Sequence, residues 1–418
     1  MVREASPGGR LRTYRAFVLF WLAETVSGFG TYITTLAVQV LLVVTLHESA
    51  TGVGLVNAAR WLPYLLFGVL VGVLVDRVRR RPVLVVTDLI RCALLVGIPV
   101  LALLHSLSLA VLAVFMAGFG LMTLVNDAAS QSFVPRLVPR PLLTRSHARL
   151  DQSDAVAQAS GPALAGGLVA VLTAPWAVLV DAASYLASAL LVLGTSVDEP
   201  ASRPVSLRGV RGEAREGLRW IYRHRTLTPY AIGTHAWFLC NAAAGVALPV
   251  FALRRLELGA LGFGVLLAFA GVGAIAGSLA AVALGTRFGA GRVVITAHAA
   301  IAVAWALVAA SPAGVTGWVT FGAGQLLVGL AMGAQNANEM GYWQTITPDR
   351  LQGRANATRR SVNRAMIVVG APVGGLLADT IGVRTMLFVS AAGFLVVAGA
   401  LALTPYRTAR LGDAYAPD

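Results

Sequence analysis

The sequence predicts an all-α membrane protein of twelve transmembrane helices, arranged as two related six-helix bundles. Three observations carry that expectation: a composition too apolar for a soluble chain, twelve runs of membrane-spanning length, and a repeat that divides the chain in two. Of 418 residues, 57% are hydrophobic and 12% charged. Soluble domains carry about 25% charged and about 45–50% apolar residues.

A helix crossing about 30 Å of hydrocarbon needs roughly 20 mostly apolar residues. By that measure spans 1–6 fall near 15–44, 52–75, 82–104, 108–133, 146–171 and 175–196. Spans 5 and 6 are divided by Thr173-Ala174-Pro175. Spans 7–12 fall near 228–252, 260–285, 292–311, 314–342, 355–380 and 382–404. The first apolar run is too long for a signal peptide and reads as span 1. The predicted units are therefore an N-terminal bundle (1–196), a linker (197–227) and a C-terminal bundle (228–418). Within the linker, residues 208–223 read as a basic amphipathic helix lying on anionic membrane lipid.

Charge placement fixes the expected orientation. All 33 basic residues are Arg. Twenty-seven fall on the side of the two termini, three (Arg254, Arg255, Arg384) on the other, and three (Arg60, Arg91, Arg364) within spans. Positively charged loops stay in the cytoplasm, so both termini are expected there, in a multi-pass protein of the inner cell membrane. The net charge of +14 thus reports topology and not a nucleic-acid partner. The absence of Lys excludes a Walker-type phosphate loop and Schiff-base catalysis. Cys92 and Cys240 lie far apart in apolar runs, indicating neither a disulfide nor a metal site.

The repeat has an offset of about 209 residues. Pro139-Arg140-Pro141-Leu142-Leu143-Thr144-Arg145 matches Pro348-Asp349-Arg350-Leu351-Gln352-Gly353-Arg354. Gly161-Pro162-Ala163-Leu164-Ala165-Gly166-Gly167 matches Gly370-Ala371-Pro372-Val373-Gly374-Gly375-Leu376. Parallel repeats with a site between them are a transporter architecture, although any duplicated membrane protein would show the same repeat.

The stretch Gly72-Val73-Leu74-Val75-Asp76-Arg77-Val78-Arg79-Arg80-Arg81 resembles the loop signature of the major facilitator superfamily, departing at Arg79, where Gly is frequent. Asp88-Leu89-Ile90-Arg91, Ser160-Gly161-Pro162-Ala163, Asp181-Ala182-Ala183-Ser184, Glu216-Gly217-Leu218-Arg219, Leu248-Pro249-Val250 and Gln344-Thr345-Ile346-Thr347-Pro348 narrow the resemblance. They point to a drug-efflux branch that includes macrolide efflux proteins and the enterobactin exporter. The resemblance implies the major facilitator fold and an efflux antiporter. It also implies that Gly72, Asp76, Arg77 and Arg81 form a conformational switch bracing the two halves. Gly161, Pro162, Gly166 and Gly167 resemble the span 5 motif of antiporters; small residues let helices approach and slide, and plain packing would look the same.

Ionisable groups inside a membrane are costly and mark function by default. Glu24, about nine residues into span 1, and Arg60, eight into span 2 from the opposite side, are expected at similar depth. Desolvation favours a protonated carboxyl and a nearby Arg an ionised one, so the pair reads either as a proton-coupling or substrate-charge site, or as a permanent ion pair. Asp127 and Glu339 occupy comparable places in the two halves, each after an Asn. They are candidates to relay protons or to pair with the Arg-rich loops. Trp21, Tyr32, Asn57, Trp61, Trp237, Asn241 and Asn338, with Gln39, Gln335 and Trp343, are the expected cavity lining. Their aromatic faces suit amphiphilic or cationic compounds.

The expected function is proton-driven efflux of a small amphiphilic molecule by a monomer, with no cofactor beyond the proton gradient. A siderophore or endogenous metabolite is the nearest rival substrate. A non-transporting scaffold or receptor is the rival of another class. No nucleophile–base constellation suggests an enzyme.

Overall fold

The computed structural model describes residues 11–75, 77–197, 199 and 210–410. The first half supplies α1 (Arg15–Val40), α2 (Ala50–Val75), α3 (Arg80–Leu103), α4 (Leu109–Leu137), α5 (Leu143–Leu172) and α6 (Ala174–Leu193). A connector, α7 (Val210–Arg223), leads to α8 (Leu227–Val250), α9 (Gly259–Phe288), α10 (Ala290–Ala310), α11 (Val315–Ile346), α12 (Asp349–Ile381) and α13 (Val383–Ala402). Among the described residues, 11 helices are long and apolar enough to cross a membrane. The remaining long helix, α2, has 26 residues and packs between α4 and α12.

The repeat is visible in the backbone. Both α1 and α8 end in a π-helical turn, Leu41–Thr45 and Phe251–Arg255. Each turn is followed by a non-glycine residue at positive φ, His47 at 53° and Glu257 at 51°. Such conformations are uncommon outside glycine, so their recurrence at matching places marks one loop design used twice. Likewise α5 and α6 break sharply at Thr173 (φ 68°), and α12 and α13 at Gly382 (φ 91°).

Several helices run past the hydrocarbon on the side of the termini. With 33 residues α12 is about 50 Å long against a core of about 30 Å. It begins at Asp349, not near 355, so Arg350 and Arg354 also lie within the helix and not in a loop. The sequence ruler stops where apolarity stops, whereas the backbone bonds continue.

Within the first half α1 packs on α5 and α6, α2 on α4, and α3 on α4 and α6. Within the second, α8 packs on α12 and α13, while α11 packs on α9 and α10. Gly273 and Gly277 of α9 face Gly329 and Gly333 of α11, where an added Cβ would collide with the opposing backbone. This is small-xxx-small packing on both partners. Outward faces are apolar, as at Val171, Leu279 and Val315, each 81% exposed, which identifies the lipid-facing surface. The most extensive contacts between the halves are α2 on α12 and α5 on α9, with α2 also touching α8 and the two π turns touching each other.

The connector helix belongs with the second half. Glu216 pairs with Arg350 at 2.9 Å and with Arg354, and the Tyr222 hydroxyl lies 2.7 Å from His235 Nε2. Its Arg215, Arg219 and Arg223 remain exposed.

Candidate functional site, a chamber between the halves

Three adjoining cavities form one chamber. A cavity of about 440 Å³ lies inside the first half, bounded by α1, α3, α4 and α5, with Glu24, Arg91, Asp127, Asp151 and Asp154 on its wall. A second, about 290 Å³, shares Tyr32 with it and lies between α1 and α5 on one side and α9 and α11 on the other, reaching Gln39 and Asn336. A third, about 330 Å³, shares Asp127 and Gln131 with the first and lies between α2 and α4 and the α12 residues Arg360 and Arg364. The chamber is open toward the termini: its wall residues Gln131, Asp154, Gln158 and Arg360 are exposed.

The opposite side is closed by contacts between the halves. Asp379 of α12 accepts from the Ala50 and Thr51 amides at 2.9 Å and from the Thr51 hydroxyl at 2.6 Å. It is a carboxylate seated on the N-terminus of α2, where the helix dipole favours negative charge. Nearby, the Arg254 guanidinium donates to the Val43 carbonyl at 2.7 and 3.1 Å. One half thus grips the α1–α2 turn at both ends. Below, Gly54 meets Ala371, Gly375 meets Ala50, and Gly166 meets Ala260 and Gly264 so closely that no Cβ fits.

The span 5 motif therefore sits in a seam between the halves: Gly264 abuts the Pro162 carbonyl. Gly161 faces Tyr32 of α1 instead, and Gly167 makes only ordinary contact with Leu261. In the loop signature, Asp76 lies outside the described residues. Gly72 has open space where a Cβ would sit. Arg77 begins the turn, its amide donating to Leu74 O. Arg81 acts inside the first half, donating to Val192 O at 3.4 Å and to Leu193 O at the end of α6. Glu199 in turn accepts from the Arg80 and Arg81 amides at the start of α3.

Glu24 and Arg60 are not a pair. Glu24 accepts from the Ser130 hydroxyl of α4 at 2.8 Å. Arg60 donates to Thr35 Oγ1 at 3.0 Å, a residue eleven positions further along α1, or about 16 Å. Because α1 with its π turn is 31 residues long, equal counts from opposite ends do not meet. Asp127 accepts from the Tyr64 hydroxyl at 2.7 Å and faces the chamber, sharing its third cavity with Arg360 and Arg364. Its counterpart Glu339 is enclosed in the second half, accepting from Gln335 at 3.0 Å. Beside it, Arg359 donates to Tyr230 Oη at 2.7 Å and stacks on Trp343 at 4.8 Å.

Several expected lining residues turn away. Trp237 packs on Phe238 and Phe394, and Asn338 donates to Ala281 O and Ala334 O, closing α11 on α9. Asn57 and Asn241 are half-buried outside the three cavities. Trp21 donates to Ser153 Oγ at 2.8 Å under the Arg149 guanidinium, and Trp61 lies under Arg364 at 4.1 Å. The faces of Trp21 and Trp61, expected to attract a cationic compound, are already covered by arginines.

The model of a family described as transmembrane secretion effector matches residues 8–414. The chain belongs to this family, a branch of the major facilitator superfamily. It is 28% identical to the multidrug efflux pump Tap of Mycolicibacterium fortuitum over 377 residues, 88% of this chain and 90% of that protein. It is 27% identical to an uncharacterised MFS-type transporter of Sinorhizobium fredii, a match spanning 63% of that relative's length and 62% of this chain. A staphyloferrin A transporter of Staphylococcus aureus is 28% identical over 40% of this chain and 43% of its own. A bacterial homologue of the iron transporter ferroportin, solved in an inward-facing state, superposes with a TM-score of 0.74 at 15% identity, covering 94% of this chain and 98% of that one. The nucleoside transporter NupG gives a TM-score of 0.74 at 12% identity, with the same coverage. At such identities the structures share the fold alone.

Other polar residues of this facilitator escaped the sequence reading. Asp379 and Ser130 give no signal in sequence, because their partners lie on distant helices. Arg364 carried one as an arginine within a span. Arg91, likewise an arginine within a span, forms a buried ion pair with Asp88. Asn126 donates to Asp88 at 3.2 Å, Ser188 at 2.6 Å, and Arg91 stacks on Tyr185 at 4.2 Å. Buried Asp181 accepts from the Ser184 hydroxyl through Oδ1, while its Oδ2, on the side of Thr34, has no hydrogen-bond partner among the described residues.

Proposed function

We propose that this facilitator exports a small amphiphilic molecule by alternating access, in exchange for protons. Glu24 carries the reading: a carboxylate well within α1, whose side-chain partner among the described residues is a serine hydroxyl, on the wall of a chamber open to one side. Such a carboxyl exchanges protons with chamber water in this state and loses that access when the halves rock about the site. Asp127, on the same wall, is the second proton-accessible group. The segregation of arginines supports cytoplasmic termini in the inner cell membrane, so the chamber opens inward. One chain encloses the whole chamber, which supports a monomeric unit. Export of a siderophore or endogenous metabolite is a second reading, supported by the likeness to a protein named as a staphyloferrin A transporter.

The test uses purified protein in liposomes. Counterflow of an amphiphilic dye, fluorescein or ethidium, without a gradient reports transport, and pH-gradient-driven uptake of the same dye reports coupling. Glu24→Gln is expected to retain counterflow and lose gradient-driven uptake. Undiminished gradient-driven uptake would remove Glu24 from the coupling step.

A further inference from the structure

We infer that Arg360 and Arg364 form a subsite for an anionic head group, a carboxylate or phosphate, on the transported molecule. The inference deepens the proposed function and rests on the chamber being the substrate site.

The two guanidiniums lie four residues apart on one face of α12 and both line the cavity between α12 and the first half. Counting from Asp349, they stand about 16 and 22 Å along a helix of about 50 Å. About 20 Å of that helix overhangs the hydrocarbon on the side of the termini, so Arg364 lies just inside the hydrocarbon edge and exposed Arg360 at the interface. A cation at the depth of Arg364 is held by an ion partner or serves a pathway. Among the described residues neither guanidinium has a hydrogen-bond or ion-pair partner. The carboxylate on the same cavity, Asp127, accepts from the Tyr64 hydroxyl and attracts both guanidiniums through space without an ion-pair contact, leaving their N–H donors unfilled.

What holds Arg364 is a stack: its guanidinium lies 4.1 Å from the Trp61 ring and 5.5 Å from Tyr64. Stacking uses the face of the guanidinium and leaves the N–H donors at its rim, the arrangement suited to bidentate capture of a carboxylate or phosphate. The stack also crosses the seam, from α12 to α2, so a bound anion would be gripped where the halves move. Trp61 and Tyr64 present an apolar edge beside that donor set, matching an amphiphile with an anionic end. A simple cation is disfavoured, because Arg60 adds a third guanidinium on the neighbouring turn of α2 and covers Phe119 at 5.4 Å.

The test compares fluorescein, an amphiphilic carboxylate, with ethidium, an amphiphilic cation, by fluorescence anisotropy on the full chain in phosphatidylcholine nanodiscs. The native chain is expected to bind fluorescein, and Arg364→Gln to lower the fluorescein-to-ethidium selectivity tenfold or more. Arg364→Lys is expected to recover only part of it, since charge is kept and the planar fork lost. Damaged folding would weaken both probes and leave the ratio unmoved; exposed Arg360→Gln then gives the same reading without disturbing the stack. A native chain that ignores fluorescein, or a ratio unchanged in both Gln variants of a folded chain, overturns the subsite. Repeating the titration with phosphatidylglycerol discs separates sources: competition with fluorescein that both Gln variants remove makes a lipid head group the occupant. Loss of counterflow for both probes in the native chain would sink the transport reading instead, independently of any arginine effect.

Discussion

Replacing Asp379 by Ala should tilt the balance between the two open states. The carboxylate joins the halves through two backbone amides and one hydroxyl of the α2 N-terminus, with distances of 2.6–2.9 Å. Loss of an N-cap interaction costs about 1 kcal/mol, within about 0.5–2. The negative charge on the helix dipole adds about 0.3–1 kcal/mol, reduced here because Asp379 is exposed and screened. A total of about 1–2 kcal/mol supports the closed outer side, so its removal should raise the outward-open fraction roughly 5–30-fold. Single-molecule energy transfer between dyes on exposed Gln152 and Gly353 reads that fraction; an added Cβ at Gly353 meets open space. Asp379→Asn retains a good capping side chain and loses the charge, so it should shift the balance by less, and the difference should shrink at high salt. An Ala variant with the native distance distribution, in a protein that still transports, would refute the latch.

Other outcomes follow from the same geometry. Gly264→Val drives a side chain into the Pro162 carbonyl across the seam, and should abolish transport while trapping the outer side open, as read by accessibility of a cysteine at Gln39. Asp88→Ala strands buried Arg91 without its carboxylate; loss of one partner of a buried pair costs about 3–5 kcal/mol, so a large fall in thermal midpoint is expected. Asp181→Asn keeps the Ser184 contact and removes a buried, half-satisfied carboxyl. Transport measured across a pH series should change profile, whereas an unmoved profile would make Asp181 structural.

Much of the fold was legible without coordinates. Each span is set by a local requirement: backbone groups in hydrocarbon must bond within the helix, and the thickness fixes how many apolar residues that takes. The 209-residue repeat and the arginine segregation are equally linear, so helix number and pairing of halves could be read directly. The helix α12 begins at Asp349, before the expected 355, because an amphipathic extension has no apolar signature.

The chamber was a different matter. Counting along a helix gives depth but not azimuth, and azimuth is set by packing against neighbours. Glu24 therefore finds Ser130 and not Arg60, Glu339 turns into its own bundle, and Trp61 meets Arg364 from the other half. Sequence alone determined that two bundles would cross the membrane. Only the tertiary structure decided which charges share a wall, because that depends on the rotation and tilt at which glycine seams allow the helices to close.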